Sequence, residues 1–200
     1  MDETRLEEDS YSPPSRLSRR GREHTTDTQL IQRGLTQSKL VGTIQIHFDG
    51  LCEPKNPGGI PVYAFIVSDS DSGQILGQRT GLAGEPWRSD ATHNLAEYTA
   101  AINAVKWVKE HAPNTELLIY GDSKLVINQV NKIYKVKSPR MLPLFNELVI
   151  QLEGFSWKAV WVPREKNLEA DKLANDFYRD YCIKHYGKAV PTMRETGAIY

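Results

Sequence analysis

The sequence predicts an α/β fold: a five-stranded mixed sheet flanked by helices, with the elements in the order βββαβααβα. Two observations lead there. Three strand-like segments follow one another between Val41 and Leu82, separated by turns dense in Gly, Pro, Asn, Asp and Ser. Helical patterns then alternate with two further short apolar runs. Three strands at that spacing suggest an antiparallel meander, and strands separated by helices complete a mixed sheet.

Each element has its own signal. Ile44, Ile46 and Phe48 alternate with polar neighbours, which is the strand period, and the run ends at Asp49-Gly50. Glu53-Pro54-Lys55-Asn56-Pro57-Gly58-Gly59 reads as a turn. Val62 to Val67 forms a second strand, and Ser70-Asp71-Ser72-Gly73 turns the chain into a third, from Gln74 to Leu82. A loop through Gly84, Pro86 and Trp87 precedes a long helix from Thr92 to His111. In it Leu95, Tyr98, Ile102, Val105 and Val108 recur at three and four, giving one apolar stripe, while Asn94 and Glu97 share another face. Leu117 to Tyr120 is a short buried strand that leads to Gly121-Asp122-Ser123 and a helix reaching Val130. A further helix spans Met141 to Leu152, a fifth strand Phe155 to Val162, and a last helix Asn167 to His185, with Leu173, Ala174, Phe177 and Tyr181 on one side.

The organisation expected is a flexible arm over residues 1–40, a folded domain over 41–186 and a tail over 187–200. The arm has few large apolar residues and no sustained period, so it cannot bury enough surface to offset the entropy of ordering. Its basic stretch from Arg16 to Arg22 reads as part of a solvated arm, with contact to phosphates as the alternative, and Asp27 to Leu35 as a short helix. Apolar content of 40% and charged content of 25% are those of a soluble globular protein. No apolar run approaches the roughly 18 residues of a membrane helix. The acidic opening does not resemble a secretory signal, and Cys52 and Cys182 offer no disulfide framework, so a cytoplasmic, monomeric protein without a membrane partner is expected. The 25 Lys and Arg balance 25 Asp and Glu, which argues against strong long-range attraction to nucleic acid but leaves room for a site that borrows charge from a metal.

Four acids stand out because each sits where an acid makes poor structural sense: Asp49, Glu97, Asp122 and Asp171. Two end strands and two lie early in helices. Carboxylates brought close repel and desolvate badly, so a converging set usually holds a cation, and oxygen-only donors point to Mg²⁺ or Mn²⁺ rather than zinc. Taken singly, each has a plainer reading. Asp49 can cap a turn, Glu97 can be a helix-surface acid, Asp122-Ser123 can be an N-cap, and Asp171 can sit in a helix's first turn to answer its dipole.

Together, the element order and the motifs Asp49-Gly50, Asn94-x-Ala96-Glu97, Gly121-Asp122-Ser123 and Asn167-x-x-Ala170-Asp171-x-Leu173-Ala174 resemble type 1 ribonuclease H. The turn Asn56-Pro57-Gly58-Gly59 matches as well, and the resemblance runs from about Val41 to Asp180. It implies the ribonuclease H-like fold and an endonuclease that cuts the RNA strand of RNA–DNA hybrids. The metal set would be Asp49, Glu97, Asp122 and Asp171, holding two Mg²⁺ ions with Mn²⁺ as a substitute, and the products 5′-phosphate and 3′-hydroxyl ends. Substrate contacts would come from Thr92, His93 and Asn94, from Ser123 and Asn128, and from the backbone of the loop from Gly50 through Cys52 to Glu53.

The chain departs from the family in three places. His93 stands where an amide is usual. The loop Val162 to Asn167 has no histidine; Arg164 is the candidate catalytic replacement, able to hold phosphate but not to shuttle protons, or else a surface charge. The stretch from Asn131 to Pro143, with Lys132, Lys135, Lys137 and Arg140, is shorter than the family's basic extension; it reads as a solvated edge or as the path of the DNA strand. Trp87, Trp107, Trp157 and Trp161 read as packing residues, with base-stacking as the alternative. Two other function classes remain open: a non-catalytic hybrid-binding module, and a resolvase- or integrase-like nuclease of the same fold.

Overall fold

The computed structural model describes residues 42–197. The expected arm and its short helix at Asp27 to Leu35 lie outside the described residues. Five strands, β1 (Thr43–Glu53), β2 (Ile60–Asp69), β3 (Ile75–Leu82), β4 (Glu116–Gly121) and β5 (Ser156–Trp161), form one sheet in the order β3-β2-β1-β4-β5. The meander β1–β2–β3 is antiparallel, while β4 joins β1, and β5 joins β4, in parallel. The helices are α1 (His93–His111), α2 (Lys124–Val130), α3 (Leu142–Leu152), α4 (Leu168–Tyr186) and the short α5 (Met193–Thr196), with a 3₁₀ turn at Arg164–Lys166.

The two faces of the sheet carry separate cores, because successive strand residues point opposite ways. Ile44, Ile46 and Phe48 of β1 join Phe65 and Val67 of β2 against Tyr98, Ala101, Val105 and Val108 of α1 and Leu148 and Leu152 of α3. Leu51, Val62 and Ala64 face the other way, against Ala174, Tyr178 and Cys182 of α4.

Several expectations change in detail. Residues Gly50 to Glu53 are not a loop: they extend β1, paired along their length with β2. Cys52 is fully buried, its thiol donating to the Ala91 and Lys55 carbonyls. Helix α1 buries a broad face that includes Ala96, Ala100, Ala101 and Ala104, whereas Leu95 is only half-buried, because the helix is covered by both the sheet and α3. On α4 the buried stripe is Ala170, Asp171, Ala174, Tyr178 and Cys182, with Leu173, Phe177 and Tyr181 at its margin. Trp107 and Trp157 pack against the core, but Trp87 and Trp161 are exposed. The segment expected as a tail contains α5, whose Thr192 and Glu195 form a capping box. Its first amide, at Met193, donates to the buried Glu53 carboxylate at 2.6 Å.

Two glycines decide how closely these layers approach. A Cβ on Gly50 would overlap the backbone of Ala96 and Glu97, so β1 and α1 meet there with no side chain between them. A Cβ on Gly121 would overlap the Phe48 ring, its cross-strand partner. The start of α1 is also tied to the turn after β1. Asn56 Oδ1 accepts the His93 amide at 3.0 Å, and the Gly58 amide donates to the Ala91 carbonyl at 2.8 Å. We expect Gly50→Ala to destabilise the domain by about 1–3 kcal/mol or more through overpacking against backbone that has no slack, with an unchanged m-value in urea unfolding. A stability within about 0.5 kcal/mol of wild type would contradict that contact.

Candidate active site

The site lies where β4 stops. Its last residue, Gly121, pairs with Phe48, so from Asp49 onward β1 is paired on the β2 side only. Alternation places Asp49 on the α4 face and Gly50 on the α1 face. At Gly50 the absent side chain lets Glu97 of α1 come against the strand. Asp122, the first residue past β4, completes the arrangement. Ligand oxygens of Asp49, Glu97 and Asp122 lie within 4.8 Å of one another. Asp49 is 2% exposed and Glu97 1%.

Such a cluster is electrostatically costly. Burial raises Asp49 well above the ordinary carboxylate range, and the charges of Glu97, Asp122 and Asp171 push the same way, against the pull of Arg164. Burial also raises Glu97, with Asp122 adding to it. The Glu97 Oε2 atom is buried with no hydrogen-bond partner among the described residues. A trio of hard oxygen donors, one of them holding a buried oxygen without a partner, fits an Mg²⁺- or Mn²⁺-type cation.

The fourth acid stands differently. Asp171, in the first turn of α4, is ion-paired with Arg164, and its Oδ1 also accepts from Asn175 Nδ2 at 3.2 Å. It lies outside the tight trio yet still acts electrostatically on Asp49. Arg164 therefore sits against a carboxylate at the site's edge.

The surroundings hold these groups in place. Asn167, fully buried, donates from Nδ2 to the Phe48 carbonyl at 2.8 Å and more weakly to Asp122 Oδ1 at 3.4 Å, while its Oδ1 meets His47 Nδ1 at 3.2 Å. It thus joins β1 and the end of β4 to the start of α4. Trp161 Nε1 donates to the Asp122 carbonyl at 2.9 Å, and Lys124 lies over the Trp161 ring at 4.5 Å. His93 Nε2 is 3.3 Å from Glu97 Oε1, and burial lowers the histidine's pKa, so the imidazole tends to stay neutral.

A cleft of about 430 Å³ opens at Glu97 and Asp122, lined also by Asn56, His93, Asn94, Ser123, Lys124, Leu125 and Arg164. Of the substrate contacts expected from sequence, His93, Asn94 and Ser123 line it. Thr92 caps α1 by accepting the Leu95 amide, and Ser123 caps α2 by accepting the Val126 amide. Asn128 does not line this cleft; its carbonyl accepts the Ile133 and Tyr134 amides at the end of α2. A second cleft of about 400 Å³ shares Asn94 and Leu125 with the first and carries Thr92, Lys135, Lys137 and Arg140. Sequence reasoning missed Asn56, Lys124 and Asn167 as parts of the site. Asn56 and Asn167 stand inside motifs quoted above, but their contacts join segments far apart in the chain.

Known proteins share this chain's sequence pattern and fold. The family model described as reverse transcriptase-like matches residues 48–177. A bifunctional protein of Mycobacterium tuberculosis is 36% identical over 125 residues, covering 60% of this chain and 32% of that protein. The chain therefore spans about a third of that relative. Its N-terminal RNase H domain, solved as a fusion with maltose-binding protein, superposes with a TM-score of 0.61 at 30% identity, covering 68% of this chain and 92% of that one. A protein named ribonuclease HI from Halobacterium salinarum is 31% identical over 140 residues, 70% of this chain and 66% of its own. LC11-RNase H1, solved in complex with RNA/DNA hybrid, superposes with a TM-score of 0.59 at 28% identity, covering 66% of this chain and 94% of that one.

The raised carboxylates set a pH dependence. A carboxylate whose folded pKa lies above its unfolded one binds more protons when folded, so stability falls as pH rises from the ordinary carboxylate range through the raised values. In EDTA at about pH 7, Asp49→Asn should therefore melt above wild type. The difference should close as the pH approaches about 4, where the unfolded carboxylates also bind protons. Thermal melts across that range check it, and a variant less stable at neutral pH would contradict the electrostatic reading.

Proposed function

The chain belongs to the type 1 ribonuclease H family, and from that premise we propose that it is an endoribonuclease hydrolysing the RNA strand of RNA–DNA hybrids. The observation that carries the proposal is the convergence of Asp49, Glu97 and Asp122, with oxygens within 4.8 Å, beside a cleft that Glu97 and Asp122 line. The hybrid bound in the LC11-RNase H1 structure supports the choice of substrate.

Asp49, Glu97 and Asp122 would hold Mg²⁺, with Asp171 at the margin completing a two-ion site. Bound there, the cations supply the charge that makes water nucleophilic at neutral pH and offsets the charge building on the leaving 3′ oxygen. The rest falls to the protein. Asn167 fixes Asp122 against the Phe48 backbone, and the Trp161 indole fixes the Asp122 carbonyl, so the exposed edge of the site keeps its shape. Arg164 holds Asp171 in an ion pair and moderates the repulsion felt by Asp49 and Glu97. Its guanidinium stays charged, so it positions and does not transfer protons. Asn56, Asn94 and Ser123 present amide and hydroxyl groups to the cleft, the chemistry needed to sense a 2′-hydroxyl on the strand to be cut. In-line attack at phosphorus with departure of the 3′ oxygen leaves 5′-phosphate and 3′-hydroxyl ends.

The test is cleavage of an end-labelled RNA–DNA hybrid with Mg²⁺, Mn²⁺ or EDTA, beside double-stranded RNA and double-stranded DNA. Metal-dependent cutting confined to the RNA strand of the hybrid is expected. Binding without cutting would point to a hybrid-binding module, and cutting of DNA to a resolvase- or integrase-like nuclease. Asp122→Asn should lower kcat by more than about 10²-fold while the thermal melt stays cooperative. Arg164→Ala should cost less, about tenfold or about 1.4 kcal/mol of barrier. Wild-type turnover in Asp122→Asn would remove the metal assignment.

A further inference from the structure

Trp87 is set in an unusual way. Its φ is 67°, a left-handed conformation that a bulky residue rarely adopts and that persists only where surrounding contacts hold it. Those contacts are present: its amide donates to the Gly59 carbonyl at 2.8 Å, and its indole Nε1 donates to the Tyr186 hydroxyl at 2.9 Å. Burial does not account for the strain, because Trp87 is 47% exposed.

Other aromatic rings continue the surface. Trp87 and Tyr186 meet edge to face at 6.2 Å, Tyr186 meets Tyr181 at 6.3 Å, and Tyr181 stacks on His185 at 4.2 Å. Lys55 Nζ lies 5.8 Å from the Trp87 ring centre. From Tyr181 to Arg194 the chain carries Lys184, Lys188 and Arg194 and no carboxylate. Among the described residues neither Lys55, Lys184 nor Lys188 forms an ion pair. Cations in the last turn of α4 also answer that helix's dipole. Dipole compensation accounts for neither a strained, exposed indole nor the lysine beside it.

The platform is linked to the catalytic cleft through two neighbouring residues. Asn56 lines the cleft, and its neighbour Lys55 reaches Trp87. The strand in the cleft is the one being cut, so a strand running on past Asn56 is the same RNA strand. Aromatic faces bind bases that are not already paired and stacked, and do so with little regard to sequence because every base has a π-face. The geometry points to a single-stranded RNA site on this platform, which takes the unpaired continuation of the cut strand: bases against Trp87 and Tyr186, phosphates near Lys55, Lys184 and Lys188. This inference rests on the hybrid-cutting function above and narrows it to hybrids bordered by single-stranded RNA.

The test compares a blunt RNA–DNA hybrid with hybrids whose RNA strand is extended at the 5′ or the 3′ end, using the full chain. For wild type, one extension should lower KM several-fold relative to the blunt hybrid, with kcat little changed. Trp87→Gly removes the ring while suiting the left-handed backbone, so the fold is preserved. It should bring the ratio of the two KM values to about one. The double variant K184Q/K188Q should shrink the ratio and weaken its salt dependence. Equal KM for blunt and extended hybrids in wild type, or an unchanged ratio in Trp87→Gly, overturns the platform. Failure of wild type to cut even the blunt hybrid overturns the function itself, so the two failures are distinguishable.

Discussion

The arrangement depends on the bare contact between β1 and α1 at Gly50. A strand and a helix ordinarily keep a layer of side chains between them. Here backbone meets backbone, and that removes the distance that would otherwise separate Asp49 from Glu97. β4 ends beside Phe48, which leaves the rim of the sheet open at the same point. Carboxylates from the strand, from the helix on one face and from the end of β4 then meet over the open edge. Their convergence follows from where strands end and where side chains are missing, not from attraction between them.

That convergence costs stability, and the fold distributes the cost. Asp49 and Glu97 are buried and pushed toward their protonated forms, while the charge of Arg164, itself ion-paired with Asp171, offsets part of the repulsion. Neutral hydrogen bonds do the positioning: the Asn167 amide spans β1, Asp122 and His47, and Trp161 holds the Asp122 carbonyl. The balanced formal charge of the chain fits this design. With no global positive field to draw in a polyanion, affinity must come from local groups. The basic cleft of Lys135, Lys137 and Arg140 adjoins the catalytic cleft on one side, and the Lys55–Trp87 surface adjoins it at Asn56.

Much of this was legible in the sequence, for identifiable reasons. Alternation in Ile44, Ile46 and Phe48, the helical period of Tyr98, Ile102 and Val105, and the breakers from Pro54 to Gly59 each act locally and place the elements in order. The continuation of β1 to Glu53 was not legible, because Gly50-Leu51-Cys52-Glu53 lacks the strand period: all four are buried, with the turn folded against Ala91 on one side and α4 on the other. The alanines of α1 give a weak apolar signal although their small size is what admits the close contact. Thr192 and Glu195 spell a capping box that was there to be read, but its docking partner, Glu53, lies far away in the chain. The same limit applies to the site. The four acids and their glycines are short motifs, whereas the pairing of Arg164 with Asp171 and the bridge made by Asn167 exist only once β1, β4 and α4 are assembled.

The most direct test of the central claim is calorimetric titration of Mn²⁺ into the full chain near pH 6, in buffers of different ionisation enthalpy. If the acids form a strained cluster whose carboxylates are held toward protonation, saturable Mn²⁺ binding will release protons, seen as a heat that varies with the buffer. That signal will be absent in Asp49→Asn. Binding with no proton release, or equal binding in wild type and Asp49→Asn, would contradict the account.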